Sequence, residues 1–168
     1  MAVSPAQLSK LGVPVWKQII AGGLYTGLAP IASGTVASAV AVLVYFTPWG
    51  ANYLFLLGIS LAAFIVGIPL ARDVERALGH DPSFVTIDEF AGQWLALASP
   101  WVLHDPIWAG LTFFVFRVFD IAKLWPSSYF DQRPGGLGVM ADDMFAGLYA
   151  NIVCHLLIFG YQIVRQFV

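Results

Sequence analysis

Charge is what this sequence has least of. Acids and bases make up 11% of the 168 residues while 59% are hydrophobic, against about 25% charged residues in a typical soluble domain. No charged residue lies between Lys17 and Arg72, and none lies between Asp143 and Arg165. Both gaps reach the roughly 20 residues that carry a helix across a bilayer, which excludes a soluble core and makes the chain an integral membrane protein. A net charge of −2, with the bases interleaved among acids, provides no basic surface and excludes nucleic acid as a partner. The single cysteine, Cys154 in NIVCHLLIFG, excludes an internal disulfide. With no cation or helix start beside it, it reads as a small buried residue. His80, His104 and His155 are scattered singly, which excludes a zinc site, and His155 reads as a packed or inter-helix hydrogen-bonding residue. The N-terminus lacks a compact apolar stretch ending in a cleavage site and reads as a retained cytoplasmic arm.

The charge that is present collects in two segments. One is Arg72–Glu89, RDVERALGHDPSFVTIDE; the other is Arg117–Asp143, RVFDIAKLWPSSYFDQRPGGLGVMADD. In a membrane protein, ionisable residues gathered this way mark a functional site by default. Between them lie the apolar runs Phe90–Leu103 and Ile107–Phe116, joined by the turn SPWVLHDP, whose only charge is Asp105. An out-and-back pair of this kind returns both segments to one side of the membrane. The bases there and in the N-terminal arm make that side the cytoplasm.

Residues 18–46 open with Gly22, Gly23, Gly27, Pro30, Ser33, Gly34 and Thr35 and become continuously apolar only from Val36 to Phe46. This predicts an irregular or re-entrant first half, with SGTVAS, Ser33–Ser38, beside a polar cavity and Ser33 or Thr35 as an N-cap. Phe46–Asn52 is an uncharged turn, and Tyr53–Ala71 a crossing. Phe90–Leu103 makes only about 21 Å of helix against a hydrocarbon core of about 30 Å. To span, it must take in Asp88 and Glu89 at its start; a shallow re-entrant pair is the alternative. The expected fold is all-α: a polytopic membrane protein with four or five crossings and a re-entrant or irregular N-terminal segment.

On a helix, Arg117, Asp120 and Lys123 share a face. They form either a self-neutralising ladder or, with the surplus base, a phosphate clamp of guanidinium and ammonium. Asp142 and Asp143 precede the last apolar helix, where a cap is the ordinary role. Only one acid is needed for a cap, however, and adjacent acids repel unless a cation lies near; Asp88 and Glu89 pose the same problem. Two acidic pairs at one membrane boundary point to a hard divalent cation on oxygen ligands, most simply Mg²⁺ held by Asp88, Glu89, Asp142 and Asp143. Pro134, Gly135, Gly136 and Gly138 let backbone N–H groups turn toward an anion. Together these features point to phosphoryl chemistry on a lipid.

The pattern resembles the phosphatidylglycerophosphatase A family of bacterial membrane lipid phosphatases. The pieces that carry the resemblance are GTVAS at Gly34–Ser38, IDEFAGQW at Ile87–Trp94, FRVFDIAKLWP at Phe116–Pro126 and FDQRPGGLGVMADDMFAG at Phe130–Gly147. Leu124 stands where the family usually has a proline, which predicts a less sharply ended helix after Lys123. The resemblance implies one helical phosphatase domain over residues 1–168, in the bacterial cytoplasmic (inner) membrane with its site facing the cytoplasm. It implies Mg²⁺-dependent dephosphorylation of phosphatidylglycerophosphate, with membrane lipid as surroundings; the oligomeric state is left open. Thr35, Arg117, Asp120 and Lys123 are the implied catalytic set, and Asp131, Arg133, Gly135 and Gly136 the implied substrate contacts. Two other lipid-enzyme patterns fail. Lys123 and Arg133-Pro134 are spaced too widely for the Lys-Arg-Pro lipid phosphatases, and Ala146 stands where the CDP-alcohol phosphotransferases need an aspartate. The non-enzymatic alternative is a small transporter or structural protein whose buried charges pair only with one another.

Overall fold

The computed structural model describes residues 4–50, 52–99 and 106–166. The turn expected around Asp105, with His104, lies outside them. Among the described residues every regular element is helical: α1 (Pro5–Lys10), α2 (Val15–Ala21), α3 (Ser33–Val42), α4 (Tyr53–Leu78), α5 (Ile87–Leu97), α6 (Pro106–Ala122), α7 (Ser127–Asp131) and α8 (Gly136–Gln166). Short 3₁₀ turns occupy Thr26–Leu28 and Leu43–Phe46.

Local chemistry sets several of these boundaries. Asn52 starts α4 by accepting the N–H groups of Leu54 at 2.9 Å and Phe55 at 3.3 Å, as a side-chain N-cap does. Gly79, in a left-handed conformation with φ 101°, ends it. Of the described helices, α4 (26 residues) and α8 (31 residues) are long and apolar enough to cross a membrane. With 11 residues, α5 rises only about 16 Å, well short of a bilayer core.

Helix α5 lies against α3, α4 and α8, and glycines let it come close. A Cβ at Gly92 would run into the backbone oxygen of Asp143, and one at Gly147 into the backbone of Gly92. Small residues at a contact allow helix backbones to approach where no large side chain could fit. Leu70, Ala71, Val74, Ile87, Ala91 and Met140 fill the core where α4, α5 and α8 meet.

The segment before α3 is irregular, as its glycines and proline predict. Gly23, Leu24, Tyr25 and Ala32 all have positive φ, and several backbone groups of the segment bond within it. The Thr86 N–H donates to the Ala21 carbonyl at 2.9 Å, and the hydroxyls of Thr26 and Thr86 meet at 2.9 Å. These bonds tie the segment to the start of α5.

Three local expectations are corrected. The cap of α3 is Ala32, and Ser33 instead donates its hydroxyl to the Ser83 carbonyl. With the helix beginning at Ser33, that residue and Thr35 both fall inside its first turn. Helix α8 begins at Gly136, not after the paired aspartates, because Gly136 packs directly on the Ile68 carbonyl of α4. Asp142 and Asp143 are therefore buried nearly two turns inside a helix, and neither is a cap. Helix α6 ends at Ala122 without help from a proline. Lys123 takes a left-handed φ of 44°, a costly choice for a residue with a side chain, and so leaves the face shared by Arg117 and Asp120.

Candidate active site

The start of α3, the start of α5, the end of α6 and the second turn of α8 converge. Gly34 opens the space at this junction. A Cβ there would run into the Glu89 carboxylate and come within 3.2 Å of Arg117 Nη1, so only glycine lets the first turn of α3 lie on these groups. Thr35 follows in the same turn.

Asp88 and Glu89 stand in the first turn of α5, and the close α5–α8 contact brings Asp143 to them. One carboxylate oxygen from each of Asp88, Glu89 and Asp143 lies within 4.8 Å of the others. Asp88 and Asp143 are buried. Glu89 Oε2 is buried with no protein partner, and among the described residues none of the three acids has an ion pair. Unpaired buried carboxylates are costly, and an all-oxygen donor set of this kind suits a hard divalent cation. The residues present therefore fit a metal ion.

Arg117 and Asp120 adjoin the cluster. They form an ion pair one turn apart on α6. Arg117 also donates to Ser38 Oγ at 3.3 Å, and that hydroxyl donates to the Gly34 carbonyl at 2.8 Å. The Arg117 Nε–H is buried without a partner.

Lys123 belongs to a second assembly. Its ammonium donates to Asp142 Oδ2 at 2.7 Å and pairs with Asp131. Burial alone would lower the Lys123 pKa, but Asp142 and Asp131 outweigh it and hold the ammonium above the usual lysine range. Asp142 Oδ1 accepts the Asp143 N–H at 3.0 Å, so one residue links the two assemblies. The remaining expected residues make other contacts. Arg133 lies over the Tyr129 ring, 4.4 Å from its centroid, and Gly136 is spent on helix packing. The Gly135 N–H is given to Glu75 Oε2 at 2.7 Å.

That last contact reveals a pair that sequence reasoning missed. Glu75, buried on α4, also bonds His80 Nδ1 at 2.9 Å through its other oxygen. The Glu75 hydrogen bond raises the His80 pKa above its ordinary value. The available signal was position: Glu75 directly follows Val74 and lies four residues after Ala71, both core residues of α4, where an acid has to find partners.

On a helical scaffold with two membrane-length helices, a buried carboxylate cluster beside a guanidinium could hold a hard cation and an anionic group together. The phosphatidylglycerophosphatase A family model matches residues 19–158. The chain is 36% identical over 137 residues to phosphatidylglycerophosphatase A of Escherichia coli, covering 77% of this chain and 76% of that protein. It is 34% identical over 143 residues to the Haemophilus influenzae phosphatidylglycerophosphatase A, covering 80% and 84%. A Bacteroides thetaiotaomicron protein, provisionally named a phosphatidylinositol-3-phosphatase, is 34% identical over 147 residues, covering 80% and 89%. No solved structure matches the chain. The chain belongs to the phosphatidylglycerophosphatase A family and is, with it, a phosphoric monoester hydrolase.

Proposed function

We propose that this chain removes the terminal phosphate of phosphatidylglycerophosphate, giving phosphatidylglycerol and inorganic phosphate, as one helical domain in a bacterial cytoplasmic membrane. The observation that carries the reading is the meeting of Asp88, Glu89 and Asp143 within 4.8 Å with Arg117 and Lys123 close by. The names of the Escherichia coli and Haemophilus influenzae relatives supply the substrate.

Asp88, Glu89 and Asp143 would hold a Mg²⁺ ion, which would polarise the phosphoryl oxygens and offset their charge. Arg117 binds the equatorial oxygens and stabilises the charge that builds on them in the transition state. Lys123, steadied by Asp131 and Asp142, holds the phosphate from the other side. Asp120 takes a proton from the attacking water, whose oxygen bonds to phosphorus as the phosphorus–oxygen bond to glycerol breaks. The departing alkoxide takes its proton from solvent.

The site faces the cytoplasm, since Arg72, Arg76, Arg117 and Lys123 all lie at its end of the bundle. The chain makes four or five crossings: α3 with its 3₁₀ extension, α4, α5, α6 and α8 alternate in direction, with α5 too short to span by itself. The contact of Gly34 with Glu89 and Arg117 supports this alternation, because it brings the start of α3, the start of α5 and the end of α6 to one level.

The test is phosphate release from phosphatidylglycerophosphate by detergent-purified protein with and without Mg²⁺, beside Asp143→Asn of matched monodispersity. Metal-dependent release that disappears in the variant supports the reading; no release by folded wild-type protein with any divalent ion overturns it. The Bacteroides thetaiotaomicron relative's name favours a second substrate, phosphatidylinositol 3-phosphate, and faster release from that lipid in the same assay would replace the first.

A further inference from the structure

An apolar groove runs between α2, α4 and α5 and the irregular segment after α2. It encloses about 470 Å³, with Ile20 and Leu24 on one wall, Ala62 and Val66 on the second and Ile87 and Phe90 on the third. We propose that it receives an acyl chain of the phospholipid whose phosphate enters the acidic site, an inference that rests on the lipid-phosphatase reading.

The groove adjoins the site across the first turn of α5. Ile87 and Phe90 line it, and the two residues between them are Asp88 and Glu89. A single helical turn therefore presents carboxylates to the site and apolar side chains to the groove. The direction also fits a lipid. Ile59, Ala62 and Val66 fall at i, i+3 and i+7 on α4, one stripe of a helix long enough to cross the bilayer. Arg72 and Arg76 lie beyond Val66 on the same helix and mark the headgroup level. From Val66 to Ile59 the groove descends about 10 Å into the hydrocarbon.

The lining chemistry selects a hydrocarbon. No charged side chain lines the groove. The one indole N–H there, on Trp94, is already donated to the Ala41 carbonyl at 2.9 Å, so a polar headgroup would find no side-chain partner. The wall opposite α4 depends on Gly23. With φ 50°, a Cβ at that position would meet the Phe90 ring and the Thr86 hydroxyl at 2.7 Å. This glycine lets the irregular segment close onto α5 and turn an open helix face into a trough.

Ala62 is exposed, outside the buried core and outside the catalytic set, so Ala62→Phe narrows the trough without touching the chemistry. The experiment compares full-length wild type with Ala62→Phe in mixed micelles, on dihexanoyl and on dioleoyl phosphatidylglycerophosphate. The expected result is a KM for the dioleoyl lipid raised about tenfold, the range a pocket gains or loses over a methylene or two, with dihexanoyl hydrolysis unchanged. As a second readout, a diazirine on the distal acyl chain of the phosphatidylglycerophosphate labels the stretch Ile59 to Val66 in wild type and labels it less in Ala62→Phe. Equal changes for both chain lengths, no change for either, or equal labelling by a phosphatidylcholine carrying the same chain overturns the groove assignment. A folded wild type inactive on both lengths removes the lipid-phosphatase reading and this inference with it. Activity on both, with an unaltered chain-length dependence in the variant, removes this inference alone.

Discussion

Asp142 and Asp143 are neighbours on one helix, yet they serve opposite electrostatic situations. Asp142 accepts a hydrogen bond from Lys123 at 2.7 Å and, with Asp131, encloses that ammonium in a paired assembly. Asp143 turns to Asp88 and Glu89, where among the described residues no cation forms an ion pair with any of the three. Successive residues on an α-helix point about 100° apart, so an adjacent pair can face two compartments of one site. The difference separates charges that hold a residue in place from charges that wait for a counterion. Buried pairs balanced by their partners are ordinary architecture, whereas a buried cluster left unbalanced has a purpose outside the fold.

Exchanging single oxygens breaks this comparison most sharply. Asp143→Asn is expected to lower Mg²⁺-dependent phosphate release by about 10³-fold at saturating lipid. Asp142→Asn leaves Lys123 paired with Asp131 alone and is expected to cost about 10- to 100-fold, with the Mg²⁺ concentration for half-maximal rate unchanged. Steady-state assays across a metal titration separate the two.

Gly92→Ala tests what brings the clusters together. The added methyl runs into the Asp143 backbone oxygen. The expected cost is about 1–3 kcal/mol of stability, read as a lower Tm, together with weaker Mg²⁺ activation because α5 and α8 are pushed apart.

The smallest effect is at the Glu75–His80 pair, which is exposed on the histidine side. The folded pKa of His80 is raised, so its contribution is full below the unfolded value of about 6.5 and is lost as pH rises through the higher folded pKa. Tm should fall modestly across that window in wild type, and His80→Gln should flatten the fall.

Much of the architecture was legible because membrane chemistry is restrictive. The gaps in charge marked the long helices, and the glycines and proline of residues 22–34 marked irregular backbone. The apolar run from Phe90 fixed Asp88 and Glu89 at a helix start. What escaped depended on contacts distant in sequence. The turn-like glycines before Leu137 hid the true start of α8, because only the Ile68 carbonyl across the helix contact explains why Gly136 is helical. Lys123 read as a member of the Arg117 face, but its partners Asp131 and Asp142 lie on later elements and draw it into a left-handed turn. Glu75 was invisible as a partner of Gly135 because 60 residues separate them.

If Asp88, Glu89 and Asp143 form the metal site while Asp142 serves Lys123, metal affinity depends on Asp143 and not on Asp142. Mn²⁺ titration followed by electron paramagnetic resonance on detergent-purified wild type, Asp143→Asn and Asp142→Asn tests it without reference to turnover. The prediction is specific binding in wild type that Mg²⁺ displaces, affinity at least about 100-fold weaker in Asp143→Asn, and wild-type affinity in Asp142→Asn. Equal weakening in both variants, or no Mg²⁺-displaceable binding in folded wild type, would contradict it.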